Sequence, residues 1–340
     1  MRYGLPYKGS KNGIAEWVVG HLPEAAHFYD LFAGGCAVTH AAMLSGKYNT
    51  LTANDITDSV RLFGDAIMGK YRDEKRWISR EDFFRLKGTD PYVRIIWSFG
   101  NDQRFYLYSK EREPWKKALH CGLVLDDWSQ FRKVCPEVAA ECEGKAAKAS
   151  DRKEKYAAVK NVMKQFLKAN DNECVFENAL YNSCRVRTVN KTRPLGTIDT
   201  SRLLQSLQSL ESLERLERLQ RLERLQSLQN LKILQGDYQS AQIQADSVIY
   251  CDIPYQGTTG YLEAFDYERF FDWCEAQKEL VVISEYDMPK DRFLCIARVA
   301  KRVAYSATNN RGKKTERLFI PIHQKELYKS IQSRDGLFDT

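Results

Sequence analysis

The chain has 340 residues, of which 43% are hydrophobic and 29% charged, and it carries a formal net charge of +7. This is ordinary composition for a soluble globular protein, and the length suits one large α/β domain with a smaller one inserted or appended. No stretch reaches the roughly 18 apolar residues of a membrane span. The opening residues, Met1 to Gly13, contain no apolar signal core, which predicts a cytoplasmic protein. Nine scattered cysteines without a C-x-x-C pair, beside only five histidines, speak against a zinc site, and their odd number predicts free thiols in a reducing compartment. The positive excess is compatible with a polyanionic partner.

In chain order, the stretch from Tyr3 to Lys11 sets tyrosines and two lysines around glycine, ahead of a helical pattern through Ile14, Trp17, Val18 and Leu22. It reads either as a loop for an anionic or carboxylate-bearing ligand or as a plain N-terminal arm. An apolar strand follows and ends in Asp30-Leu31-Phe32-Ala33-Gly34-Gly35, then a helix. This is the first βα turn of a nucleotide-binding unit, where glycines let backbone approach a ligand. The spacing is not G-x-G-x-x-G and there is no Walker lysine. A second strand, Leu51 to Ile56, ends in Asn54-Asp55, and an acid there typically takes a ribose hydroxyl. Together these features point to an adenosine-containing ligand.

Residues 58 to 200 read as mostly helical. Trp97 to Asn101, followed by Arg104, Tyr106 and Tyr108, interleaves aromatics with polar and basic residues. Such a segment can hold an extruded base or touch a nucleic-acid strand; core and helix cap are the alternative. Arg185 to Arg193 alternates basic and small residues, with Arg185, Arg187 and Lys191 suited to phosphate and groove contacts.

From Leu204 to Leu234 leucine recurs at every third residue. The intervening Glu, Gln and Arg are strong helix formers. At roughly 100° per residue, each triplet falls about 60° short of a turn, so a long stripe would circle an α-helix. We expect a protruding helical segment, with leucines partly exposed or covered by self-association; a three-per-turn structure is the rarer option. No residue in the repeat stands out, so no catalytic chemistry is assigned to it. The repeat runs into a short strand and Gly236-Asp237-Tyr238, where Asp237 either meets an adenine or caps a turn.

Val248-Ile249-Tyr250 is an apolar strand that delivers Asp252-Ile253-Pro254-Tyr255 at its carboxyl end, the end where open α/β sheets bind ligands. Asp252 can accept one hydrogen of a planar NH2. The Ile253 carbonyl can accept the other, because Pro254 holds Ile253 extended, and the Tyr255 ring can stack on the base. A helix over 265–277, a strand over 279–285 and a strand region over 294–303 follow. Then comes a basic loop with Arg311, Lys313 and Lys314, suited to phosphate contacts, and a last strand at Leu318 to Ile322. Residues 326–340 are read as a tail.

Taken together, Tyr7-Lys8-Gly9-Ser10-Lys11, the Asp30 to Gly35 turn, Asn54-Asp55, Asp252 to Tyr255 and the late Ser306 to Glu316 loop resemble the Dam-like, D12-class adenine-specific DNA methyltransferases of the α group, especially those of phages. The resemblance implies a Rossmann-like doubly wound α/β sheet and S-adenosyl-L-methionine as cofactor. Tyr7, Lys11, Asp55 and Asp252 would contact that cofactor, along with the turn bearing Asp30, Phe32, Gly34 and Gly35. Asp252, Ile253, Pro254 and Tyr255 would act on the exocyclic amine of an adenine flipped from double-stranded DNA. The family usually has a proline where Ile253 stands, and Tyr7 replaces a tryptophan common in close relatives. The expected organisation is a catalytic domain of residues 1–60 and 230–325, an inserted helical recognition region over 61–200 and the repeat over 201–235. Asn101, Arg104, Arg185, Arg187, Lys191, Arg311, Lys313 and Lys314 are the expected DNA contacts. An RNA or protein amide methyltransferase, or an idle DNA-binding or assembly protein built on the repeat, are the alternatives.

Overall fold

The computed structural model describes residues 2–170, 210–228, 230–255, 265–302 and 313–334. Seven strands form one sheet: β1 (Ala25–Asp30), β2 (Tyr48–Asp55), β3 (Leu231–Gln235), β4 (Ser247–Cys251), β5 (Leu280–Glu285), β6 (Phe293–Arg302) and β7 (Lys313–Pro321). Their order is β3-β2-β1-β4-β5-β7-β6. The first five strands are parallel, whereas β7 runs antiparallel between β5 and β6.

Alternation along β4 explains its unbroken apolar run. Val248 and Tyr250 join the core on one face with residues of α2 (Ala37–Ser45) and α3 (Ser59–Ile67). Ile249, Cys251 and Ile253 face the other core, with Phe270, Phe271 and Cys274. A strand covered on both faces has no place for a polar side chain until it ends, and here it ends at Asp252. The order reverses between β1 and β4, and the carboxyl ends of strands at such a switch point are where open α/β sheets bind ligands.

The other helices are α1 (Ala15–His21), α4 (Arg80–Leu86), α5 (Pro91–Ile96), α6 (Glu113–Leu125), α7 (Ser129–Val134), α8 (Pro136–Ala146), α9 (Arg152–Asn170), α10 (Glu211–Arg221), α11 (Tyr267–Glu275) and α12 (Lys325–Arg334). Residues 326–334, read from sequence as part of the tail, thus lie in helix α12, and its Leu327, Tyr328 and Ile331 pack on the core. No described helix is long and apolar enough to cross a membrane.

The leucine repeat does not protrude where it is described. Leu210, Leu213, Leu216, Leu219, Leu222 and Leu225 are all buried, and only Leu228 reaches 38% exposure. The stripe stays inside because helical pitch changes along it. Within α10 only Leu213, Leu216 and Leu219 fall, so the drift is about 120°, and neighbours from α3, α5 and α6 cover that arc. At Leu222–Ser227 the chain becomes a 3-10 helix, whose three residues per turn keep successive leucines in line. Self-association through these leucines would therefore have to expose core.

Polar residues of the repeat are individual too. Arg215 Nη1 donates to the carbonyls of Ile96 (2.9 Å) and Ser98 (2.7 Å) at the end of α5. Gln220 Nε2 donates to the carbonyls of Tyr71, Arg72 and Glu74.

Candidate active site

The amino-terminal loop is laid against the glycine turn by backbone contacts. Gly4 has φ +61° and its amide donates to His40 Nδ1 at 3.0 Å, while the Leu5 amide donates to the Gly35 carbonyl at 2.7 Å. Arg218 of α10 donates through Nε to the Gly4 carbonyl at 2.6 Å and through Nη2 to that of Tyr3. Burial, with Arg2, Arg215 and Arg221 nearby, pulls the Arg218 guanidinium down to about 10. So placed, the loop sets Tyr7 on the turn. A Cβ on Gly35 would lie 2.5 Å from Tyr7 Cβ, which is why no larger residue fits. Gly34, at φ +48°, would meet the Tyr7 ring at 3.1 Å.

The strand tips brace this turn. Asp55 accepts from the Gly34 amide at 2.7 Å with one oxygen and from the Thr57 amide and hydroxyl with the other. Asn54, fully buried, donates to the carbonyls of Leu31 and Gly236, tying β1, β2 and β3 together. Asp30 is turned inward: it accepts from the Thr39 hydroxyl at 2.7 Å and from the Thr39 amide, and burial raises its carboxyl to about 7. Phe32 stacks on Tyr238 with ring centroids 5.3 Å apart and lies edge-on to Phe270. Asp237 is exposed and caps the following turn through the Gln239 amide.

Lys11 follows Ser10, whose hydroxyl accepts from the Asn12 amide. It is 2% exposed. Its Nζ lies 2.5 Å from Asp252 Oδ1 and 3.3 Å from Glu316 Oε1, and it donates to the Tyr255 hydroxyl. Burial acts to lower the Lys11 ammonium, but Asp252 and Glu316 outweigh it and hold it above the usual lysine range. The Tyr255 hydroxyl donates to Glu316 Oε1 at 2.6 Å, and Ser284 Oγ donates to the same oxygen at 2.7 Å. Burial and the two carboxylates push the Tyr255 phenol far up. Tyr255 lies face to face with Tyr286 at 4.3 Å, so a base stacked on this ring would use its other side. The Asp252 turn is held by buried Ile253 and by Tyr267, whose hydroxyl donates to the Pro254 carbonyl at 2.8 Å.

The structure therefore brings Tyr7, Lys11, Gly34, Gly35, Asp55, Asp252 and Tyr255 to one edge of the sheet. Asn101 and Arg104 lie on the tip of a hairpin closed by the Ser98–Tyr106 bridge, and Gln103 between them hydrogen-bonds with Tyr7. Phe99 and Phe105 on that tip are 64% and 59% exposed, whereas Trp97, Tyr106 and Tyr108 are core. Arg94 holds the tip through Gln103 Oε1 and also reaches Asp58, next to Thr57. Arg185, Arg187, Lys191 and Arg311 lie outside the described residues; Lys313 and Lys314 begin β7. Among the described residues no His/Cys/Asp/Glu group could hold a metal ion.

Sequence reading missed Ser284, Glu285, Tyr286, Glu316 and Arg218. A signal existed for the first two: Ser284-Glu285 ends the apolar run Leu280 to Ile283 much as Asp252 ends that of β4. Glu285 is buried, with burial the main cause that lifts its carboxyl to about 8.

Residues 7–108, less than a third of the chain, match the family model described as D12 class N6 adenine-specific DNA methyltransferase. That stretch carries Tyr7, Lys11, the glycine turn and Asp55; Asp252, Tyr255 and Glu316 lie beyond it. The match supports adenine methylation in DNA in general, by a family that generally uses S-adenosylmethionine, and the seven-stranded mixed sheet is consistent with that fold. No curated protein matches the chain.

Proposed function

We propose that the protein is a site-specific DNA methyltransferase that uses S-adenosyl-L-methionine to methylate the exocyclic amine of an adenine flipped out of duplex DNA. One observation carries the reading. A strand tip bearing Asp252 and Tyr255 converges with Lys11 beside the Gly34–Gly35 turn, and the family match covers the lysine and the turn.

The donor set suits the cofactor. The Gly34–Gly35 backbone admits close approach, Tyr7 offers an aromatic surface, and Asp55 stands at the tip of β2. One ammonium facing two carboxylates leaves the Lys11–Asp252–Glu316 cluster with an excess negative charge, which favours a cationic ligand at short range in a poorly solvated site. Bound there, the cofactor supplies an electrophilic methyl group.

The chain's own residues hold the nucleophile. Asp252 and the Ile253 carbonyl would accept the two N–H bonds of the amine, leaving its lone pair free to face an electrophile, and Tyr255 would offer the base a ring face. The contribution is positioning rather than proton abstraction before attack. A base inside a duplex cannot reach this edge, so extrusion is required. The hairpin tip with Asn101 and Arg104, flanked by exposed Phe99 and Phe105, is the described surface we assign to the DNA. Residues 61–200 would form the recognition region between the halves of the catalytic domain, 1–60 and 230–325.

The test is transfer of labelled methyl from S-adenosylmethionine to duplex DNA, RNA or protein, with mass spectrometry of the hydrolysed product. N6-methyladenine in DNA, absent for Asp252→Ala, is expected; label only in RNA or protein would overturn the reading.

A further inference from the structure

Glu316 occupies a position that β7 would ordinarily give to an apolar side chain. Leu318 and Ile320, two and four residues on, belong to the core on the face that also buries Tyr250 and Val282, and alternation puts Glu316 in line with them. It is 0% exposed. A buried carboxylate is costly unless it is paired and hydrogen-bonded, so an apolar residue would suit the fold better. The antiparallel direction of β7 explains how the carboxylate reaches the site. Its early residues lie at the edge where the parallel strands end, with Arg317 opposite Glu285 and Leu318 opposite Ser284.

There one oxygen of Glu316 gathers three groups: the Tyr255 hydroxyl at 2.6 Å, the Ser284 hydroxyl at 2.7 Å and the Lys11 ammonium at 3.3 Å. Lys11 in turn holds Asp252. Resting on the methyltransferase reading above, we infer that Glu316 is a positioning residue of that reaction, which sets the Tyr255 ring and, through Lys11, the Asp252 carboxylate for the incoming amine. Ser284 orients Glu316. Neither belongs to the Asp252–Tyr255 stretch, so the machinery extends onto two further strands.

The experiment compares Glu316→Gln, Tyr255→Phe and the double variant in steady-state methylation of duplex DNA. S-adenosylmethionine affinity is measured by calorimetry and DNA affinity by anisotropy. Glu316→Gln is expected to lower kcat by about 30-fold, less than the loss of a donor that touches the transition state directly, while DNA affinity stays within about threefold and cofactor affinity, with one carboxylate of the cluster neutralised, falls by clearly less than kcat. Added to Tyr255→Phe, which has no hydroxyl to hold, it should cost under about fivefold, because residues acting through one another are not additive. Unchanged kcat, or a full 30-fold loss in both backgrounds, overturns the inference. Should Glu316→Gln fail to fold, Ser284→Ala decides: kcat down about fivefold with cofactor affinity and melting temperature kept supports it, and unchanged kcat overturns it. A wild-type protein inactive on every substrate instead sinks the methyltransferase reading itself, and this inference with it.

Discussion

Lys11 Nζ lies 2.5 Å from Asp252 Oδ1, joining a loop near the start of the chain to a strand tip 241 residues later. Breaking a buried ion pair from one side leaves the other charge without compensation. Lys11→Met strands both Asp252 and Glu316, and should lower stability by about 3 kcal/mol in urea denaturation while abolishing methylation. Adding Glu316→Gln to that variant removes one stranded charge and should recover about 1 kcal/mol without restoring activity. A stable, active Lys11→Met protein would show that the pair matters for neither.

Gly4 makes a second, sharper prediction. An added Cβ would stand 2.2 Å from the Gly35 carbonyl oxygen, at a φ of +61°. Gly4→Ala must push the amino-terminal loop off the glycine turn, costing about 2 kcal/mol and displacing Tyr7. Calorimetry should find S-adenosylmethionine affinity reduced by more than tenfold, with DNA affinity reduced far less. Equal loss of both would place the effect on folding alone.

Gln220 sets the register of the leucine repeat. Sliding α10 by one triplet keeps leucine on leucine in either direction, but brings Glu217 or Glu223 to the place where Gln220 donates to three carbonyls. A glutamate there has no proton to give and faces acceptors. Gln220→Glu should therefore cost about 1 kcal/mol, the penalty of partly buried acceptors left without a donor. Combining it with Glu217→Gln should restore part of the melting temperature by letting the repeat slide three residues. Hydrogen exchange over 211–221 would report the slide, and an unaffected single variant would refute the role.

Glu285 predicts a pH effect. Its carboxyl rises from an ordinary 4.5 to about 8 in the folded protein, through burial first, with the Asp252 and Glu316 charges adding to it. A group whose folded value is raised stabilises while protonated: the contribution is complete below about pH 4.5 and is lost as pH climbs through about 8. Glu285→Gln cannot ionise. Its melting temperature should gain on wild type by several degrees between pH 5 and 9, where other titrating groups cancel in the comparison. A constant difference would mean that Glu285 is ionised throughout.

Much of the site could be read without coordinates, because its parts announce themselves locally. A covered strand must be apolar until it ends, so the first polar residues after Val248–Cys251 mark the tip of β4. A turn that must meet an aromatic ring at close range needs Gly34 and Gly35. Such signals are written within a few residues and survive any arrangement of the rest of the chain.

Tertiary structure alone decided where Glu316 goes, what Arg218 holds and whether the leucines face water. An acid in a strand is ambiguous until the strand's direction and neighbours are known; antiparallel insertion of β7 turns Glu316 into the third member of a buried charge cluster. A period-three stripe fits no single flat core, and only the change from α to 3-10 helix, among helices on several sides, lets Leu210 to Leu225 be buried together. Both outcomes depend on burial and charge pairing between residues far apart in sequence, which local pattern does not encode.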